Sequence, residues 1–178
     1  MSKLDVGPRV SPLGSVVRGL AAGVAGTALM TAAQELSARL QAKAADDADS
    51  GGAGADAEPK DPWEGASAPA KVAKRIVEGV FHKELTADPT VVTNVMHWAY
   101  GTGWGAVYGL IAGTRGTSTL KQGARFGTGV WVMSYVQLVP MGLYDAPWTY
   151  PPKDTALEVS YHLAYGVGAG LGYAMLDR

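Results

Sequence analysis

The sequence predicts an all-α fold, a four-helix transmembrane bundle with one extra amphipathic interfacial helix. Three observations predict it. Charged residues vanish from four long stretches: between Arg18 and Glu35, Asp88 and Arg115, Arg125 and Asp145, and Glu158 and Asp177. Glycine recurs inside them at helical-neighbour spacing, as in Gly19 and Gly23, Gly105, Gly109 and Gly113, Gly166 and Gly170, and Gly168 and Gly172. The polarity that keeps the mean hydropathy near neutral is concentrated in one tract, Gln41–Ser67. A helix needs about 20 mainly apolar residues to span a bilayer, and small residues four apart let helix backbones approach closely. A soluble glycine-rich helical domain is the alternative. It would have to hide four long uncharged segments in one small core.

The first span is expected at 15–37. Lys3, Arg9 and Arg18 precede the apolar Gly19–Ala33, and Thr31-Ala32-Ala33 loosely resembles a signal-peptidase site. An uncleaved helix is preferred, because Gln34–Leu40 continues the helical pattern without a break. Residues 42–66 are low in complexity, with Asp46-Asp47, Gly51-Gly52 and Gly54. Such a tract buries too little apolar surface to offset its ordering entropy and reads as a flexible extracytoplasmic linker.

An amphipathic helix follows at 67–85. Ser67 suits its N-cap and Pro69 its first turn. Val72, Ala73, Ile76, Val77, Val80 and Phe81 share one face, and Lys71, Lys74, Arg75 and Glu78 the other. The helix either rests on the bilayer interface or packs on the extramembrane ends of the bundle. The remaining spans are expected at 89–113, 122–143 and 155–176. The loop Arg115–Arg125 carries Arg115, Lys121 and Arg125 without an acid. Leu143–Thr155 carries Asp145, Asp154, Lys153 and the aromatics Tyr144, Trp148 and Tyr150. Positive-inside logic places the first loop and both termini in the cytoplasm, and the aromatics suit an interfacial belt.

Composition excludes several classes. The chain has no cysteine, hence no disulfide framework and no thiolate metal site. Its net charge of −1 and lack of a basic stripe argue against nucleic acid as a partner. Gly101-Thr-Gly103 lies within an apolar helix with no strand before it, so it is not a dinucleotide fingerprint.

The candidate site is a polar constellation in one half of the bundle. Glu158 and His162 stand one helical turn apart on the last span. A central carboxylate costs roughly 2.5–3.5 kcal/mol on insertion scales, so such groups usually face the bundle interior. His97 and His162 each lie seven or eight residues into helices that start from the same side. At about 1.5 Å per residue both sit on the order of 10–12 Å below the outer surface. Asn94 is one turn above His97, Glu35 lies near the outer end of the first span above Thr31, and Gln137 reaches a comparable depth on the third. Imidazoles with a carboxylate can bind a transition metal through Glu158, His162 and His97. Two axial imidazoles, His97 and His162, could hold haem, with Gly101 and Gly166 four residues on leaving room for a macrocycle. Glu158 and His162 could relay protons. The bland alternative is a hydrogen-bonded network that fixes helix register.

Three stretches carry a family resemblance: His97-x-x-Tyr100-Gly101-x-x-Trp104-Gly105-x-x-Tyr108, Pro140-Met141-Gly142-Leu143 leading to Asp145-Ala146-Pro147-Trp148, and Glu158-x-x-x-His162-Leu163. With Glu35 after the first span, they resemble the YagU-type family of bacterial inner-membrane proteins, whose biochemical function is unknown. The turn before Asp145 is shorter than in that family. The resemblance implies a multi-pass inner-membrane protein and supplies no reaction, substrate or catalytic residue.

Three function classes follow. The first is a non-catalytic accessory or stress-related membrane protein with no catalytic residues and a structural polar cluster. The second is a metal- or haem-binding protein. The third is a small transporter or proton-handling unit, oligomeric because one bundle offers little room for a pathway. Expected partners are the lipid bilayer and other membrane subunits or further copies of the chain.

Overall fold

The computed structural model describes residues 11–48, 61–63, 65–115 and 120–177. Among these the secondary structure is all helical: α1 (Pro12–Ala48), α2 (Ala68–Val80), α3 (Pro89–Arg115), α4 (Leu120–Leu138) and α5 (Pro152–Leu176), with a short 3-10 turn at Pro147–Thr149. Residues 49–60 and 64 of the expected linker, Lys3 and Arg9, and the centre of the Arg115–Arg125 loop lie outside the described residues.

Local chemistry sets the helix starts. The Ser11 hydroxyl accepts from the Gly14 N–H at 3.1 Å, and Pro12 follows it. Ser67 accepts from the Ala70 N–H at 3.5 Å. The Asp88 carboxylate accepts from the N–H groups of Thr90 (2.8 Å) and Val91 (3.3 Å). Each satisfies donors that the first turn leaves open, and proline fits the first helical position because it has no N–H to leave unpaired. At the end of α4, Pro140 cannot continue the helix. Gly142 then takes a φ of 65°, and the Leu143 N–H returns to the Leu138 carbonyl.

Three of these helix ends differ from expectation by five residues or more. α4 ends at Leu138 rather than 143, because the Pro140 turn falls before the charge-free stretch does. α1 runs on to Ala48, so 42–48 belong to a helix and not to the linker. Alanine and lysine there are strong helix formers, and the segment needs no partner to follow from α1. α2 starts where the reading of 67–85 puts it but ends at Val80, with Phe81 as its C-cap, and it packs on α3: Ala70 and Ala73 meet Val92, with Trp63, Leu85 and Met96 around them.

α1 lies between α3 and α5, and α5 lies between α1 and α4, so the bundle order is α3–α1–α5–α4. Glycine makes these seams. A methyl group added at Gly23 would stand 2.8 Å from the Gly101 carbonyl oxygen and 2.8 Å from Gly105 Cα. One at Gly168 would stand 2.9 Å from Gly26 Cα, and one at Gly127 would run into the His162 carbonyl. Backbones touch directly along α1–α3, α1–α5 and α4–α5, and neighbours run antiparallel.

The α3–α4 seam differs. Side chains bridge it: Phe126 stacks edge-on with Trp104 (6.1 Å between centroids) and Tyr108 (5.0 Å), while the Tyr100 hydroxyl donates to Gln137 Oε1 at 3.1 Å. Large rings hold these two helices apart where glycines pull the others together.

α1 buries small residues and exposes large apolar ones. The buried stripe of α1 is Ser15, Gly19, Ala22, Gly23, Gly26 and Thr27, while Val17 is 58% exposed and Leu36 59%. Val95 on α3, Val136 on α4 and Met175 on α5 likewise face outward. Among the described helices, the segment Pro12–Asp47 is the one long and apolar enough by length and composition to cross a membrane. Glycine, tyrosine and histidine lower the hydropathy of α3 and α5. The four long helices expected as spans are present, and among the described residues one of them, α1, is long and apolar enough to qualify as a crossing.

Candidate functional site

The gap between α3 and α4 is a cavity of about 380 Å³ at the end of the bundle where α3 and α5 begin. Its geometry follows from the seams. α1 and α5 form the back wall, the ring-spaced α3 and α4 form the sides, and Pro69 and Val72 of α2 lie over it. The Arg75 guanidinium donates to the Met141 carbonyl at 2.5 Å, tying α2 to the turn after α4 across the opening. The Ser67 and Thr93 hydroxyls share a hydrogen bond of 2.7 Å and tie it to α3.

The structure brings five of the six sequence-derived residues to this cavity: His97 and Asn94 from α3, Gln137 from α4, and Glu158 and His162 from α5. Glu35 is the exception. It is exposed on the far part of α1, and its neighbour Gln34 lines the cavity instead. A helix turns about 100° per residue, so depth alone did not specify the face.

Each polar group has a defined setting. His97 Nε2 is 3.2 Å from the Thr31 hydroxyl. His162 Nδ1 is 2.9 Å from the Glu158 main-chain carbonyl. A carbonyl only accepts, so we assign the proton to Nδ1, which leaves Nε2 as the acceptor nitrogen. The Tyr135 hydroxyl donates to Glu158 Oε2 at 2.9 Å. The Asn94 amide donates to the Thr90 carbonyl of its own helix at 3.1 Å. These bonds mostly run to separate partners and do not close on one another. The groups therefore line a space and do not form a single sealed network.

Sequence reasoning missed the tyrosines. Tyr100, Tyr144, Tyr161 and Tyr165 all line the cavity. Tyr161 and Tyr165 stand three residues after Glu158 and His162, a helical-neighbour spacing that places them beside those groups. That spacing was the available signal. The Tyr165 hydroxyl donates to the Gly101 carbonyl at 2.6 Å, pinning α5 to α3. Burial, with the Glu158 carboxylate nearby, pushes the Tyr144 phenol up to about 12, so it stays neutral at physiological pH.

For a cofactor, the geometry offers less than the spacing suggested. Among the described residues no three of the His, Asp and Glu side chains converge as a set that could hold a metal ion. The room expected beside the imidazoles is also taken. A methyl group at Gly101 would strike the Thr27 hydroxyl, and one at Gly166 would meet Gly127 Cα at 2.8 Å. Those glycines serve helix contact and do not open space for a macrocycle. Comparison with known proteins gives no lead: no family model matches the chain, and no curated protein or solved structure matches it.

Proposed function

We propose that this chain is a four-span integral membrane protein that binds a small solute, without catalysing a reaction on it, in the cavity between α3 and α4. The carrying observation is that polar groups from separate helices line one cavity inside a bundle whose outer faces are apolar. In water, the exposure of valine, leucine and methionine on every long helix would be a large unfavourable surface. In lipid it is the ordinary arrangement, with small residues inside and large apolar ones outside. A polar cavity at membrane depth then marks a ligand or solute pathway. A cluster kept only for register needs no open space beside it, whereas here the polar groups of α3, α4 and α5 line one cavity.

The charge asymmetry of the two short loops supports cytoplasmic termini and a cavity in the outer half. The resemblance to the YagU-type family supports the bacterial inner membrane. The test has two parts. Expressed protein should stay in the membrane pellet after alkaline carbonate washing, and recovery in the supernatant would sink the membrane reading. In detergent, a panel of small solutes should include members that raise the melting temperature of the wild type. Those same solutes should not raise that of Ser134→Phe, which fills the cavity.

A further inference from the structure

We infer that the cavity selects a lipophilic organic cation, a compact ammonium group on an apolar body. This rests on the solute-binding reading above and names its substrate class. Among the described residues, Glu158 is the one Asp, Glu, Lys or Arg side chain on the wall. Its hydrogen-bond donor is a neutral phenol, Tyr135. The ion pair among the described residues, Arg18 with Asp177, lies at the opposite end of the bundle. A part-buried carboxylate on a wall without Lys or Arg favours a cationic guest, because pairing offsets the cost of taking both charges out of water.

The rest of the wall agrees with a cation that carries apolar bulk. Tyr100, Tyr161 and Tyr165 line the same space, and aromatic rings attract ammonium groups by their quadrupole. His162 Nε2 adds an acceptor. Met30, Met96 and Met141 supply a pliable apolar lining that adapts to different bodies. The volume of about 380 Å³ falls within the range for small-ligand sites. An anion would meet the Glu158 carboxylate and, among the described lining residues, no Lys or Arg, while the Arg75 guanidinium at the opening is already bonded to the Met141 carbonyl. A bare metal ion would find no converging ligand set.

The test is equilibrium dialysis of the full chain in lipid nanodiscs, with empty nanodiscs as background. The probes are phenyltrimethylammonium, its neutral isostere tert-butylbenzene, and benzenesulfonate. We expect saturable binding of the cation, about tenfold or more tighter than that of the isostere, and none of the anion. Glu158→Gln should erase the preference and Glu158→Asp should keep it. The comparison of probes on the wild type needs no variant, so a misfolded mutant does not blur it. Equal binding of cation and isostere, or preferred binding of the anion, would overturn the cation inference while leaving a solute-binding cavity. Binding of none of the three, together with no stabilising solute in the melting screen, would remove the cavity reading itself and the inference with it.

Discussion

At the scale of single residues, glycine and tyrosine divide the work of shaping this bundle. Gly23 lets α1 and α3 touch backbone to backbone, and the atoms a methyl group would meet, the Gly101 carbonyl oxygen and Gly105 Cα, are main chain and cannot rotate away. Gly23→Ala should therefore lower stability by about 1–3 kcal/mol, as overpacking does. Gly103→Ala, on the same helix pair but with nothing within 4 Å, should be neutral or slightly stabilising through helix propensity. Melting curves in one detergent check both, and equal losses would show that the seam is not the tight one described. Tyr135 acts the other way, by satisfying charge. Its hydroxyl is the donor to Glu158 Oε2. Tyr135→Phe keeps the ring and removes the donor, which should cost about 1.5–3 kcal/mol as for hydrogen bonds to charged groups. An unchanged melting temperature would mean that the carboxylate finds another partner.

At the scale of elements, the helices were largely legible and their faces less so. Charge-free stretches marked α1, α3, α4 and α5, and paired apolar rows marked α2. The matched depth of His97 and His162 was also legible, because helical rise is fixed. Glu35 was misplaced for a physical reason. The stripe Ser15, Gly19, Gly23, Thr27 advances by four residues, which overshoots the 3.6-residue repeat by about 40° each step. Two further steps lead to Glu35, whereas the true inner face has drifted back to Met30 and Gln34. The tyrosines were hidden because aromatic residues in an apolar helix read equally as core. The start of α3 gives a sharp element-scale expectation. The N–H groups of Thr90 and Val91, with the Thr90 hydroxyl, hold the Asp88 carboxyl below its ordinary value of 3.8. A carboxyl lowered on folding contributes stability that is present above its unfolded value and is lost as the pH falls through the folded one. The first turn of α3 should therefore keep its amide protection at neutral pH and lose it progressively below about pH 4. Hydrogen-exchange protection factors at Thr90 and Val91 measure this. In Asp88→Ala the pH step should vanish, and an identical step in that variant would assign it to another group.

At the scale of the whole molecule, one arrangement ties packing to function. The seams closed by glycine make a rigid frame of α3–α1–α5–α4, and the one seam spaced by rings leaves the cavity between its outer members. On the proposed reading this frame crosses a bilayer, so its orientation there is the property to test. The chain has no cysteine, so single introduced thiols report without background. Leu120 starts α4 beside Lys121, is 56% exposed, and lies at the end of the bundle that holds the Arg18–Asp177 pair. Trp148, 83% exposed, lies in the turn between α4 and α5, at the end that holds the cavity. If the basic loop is cytoplasmic, Trp148→Cys should react with a membrane-impermeant maleimide in intact cells, and Leu120→Cys should react only after permeabilisation. The reverse pattern would keep the four crossings and turn the cavity toward the cytoplasm. Labelling of both thiols in intact cells would place the two ends of α4 on one side, and the four-span bundle would then be wrong even though the helices and their cavity stand.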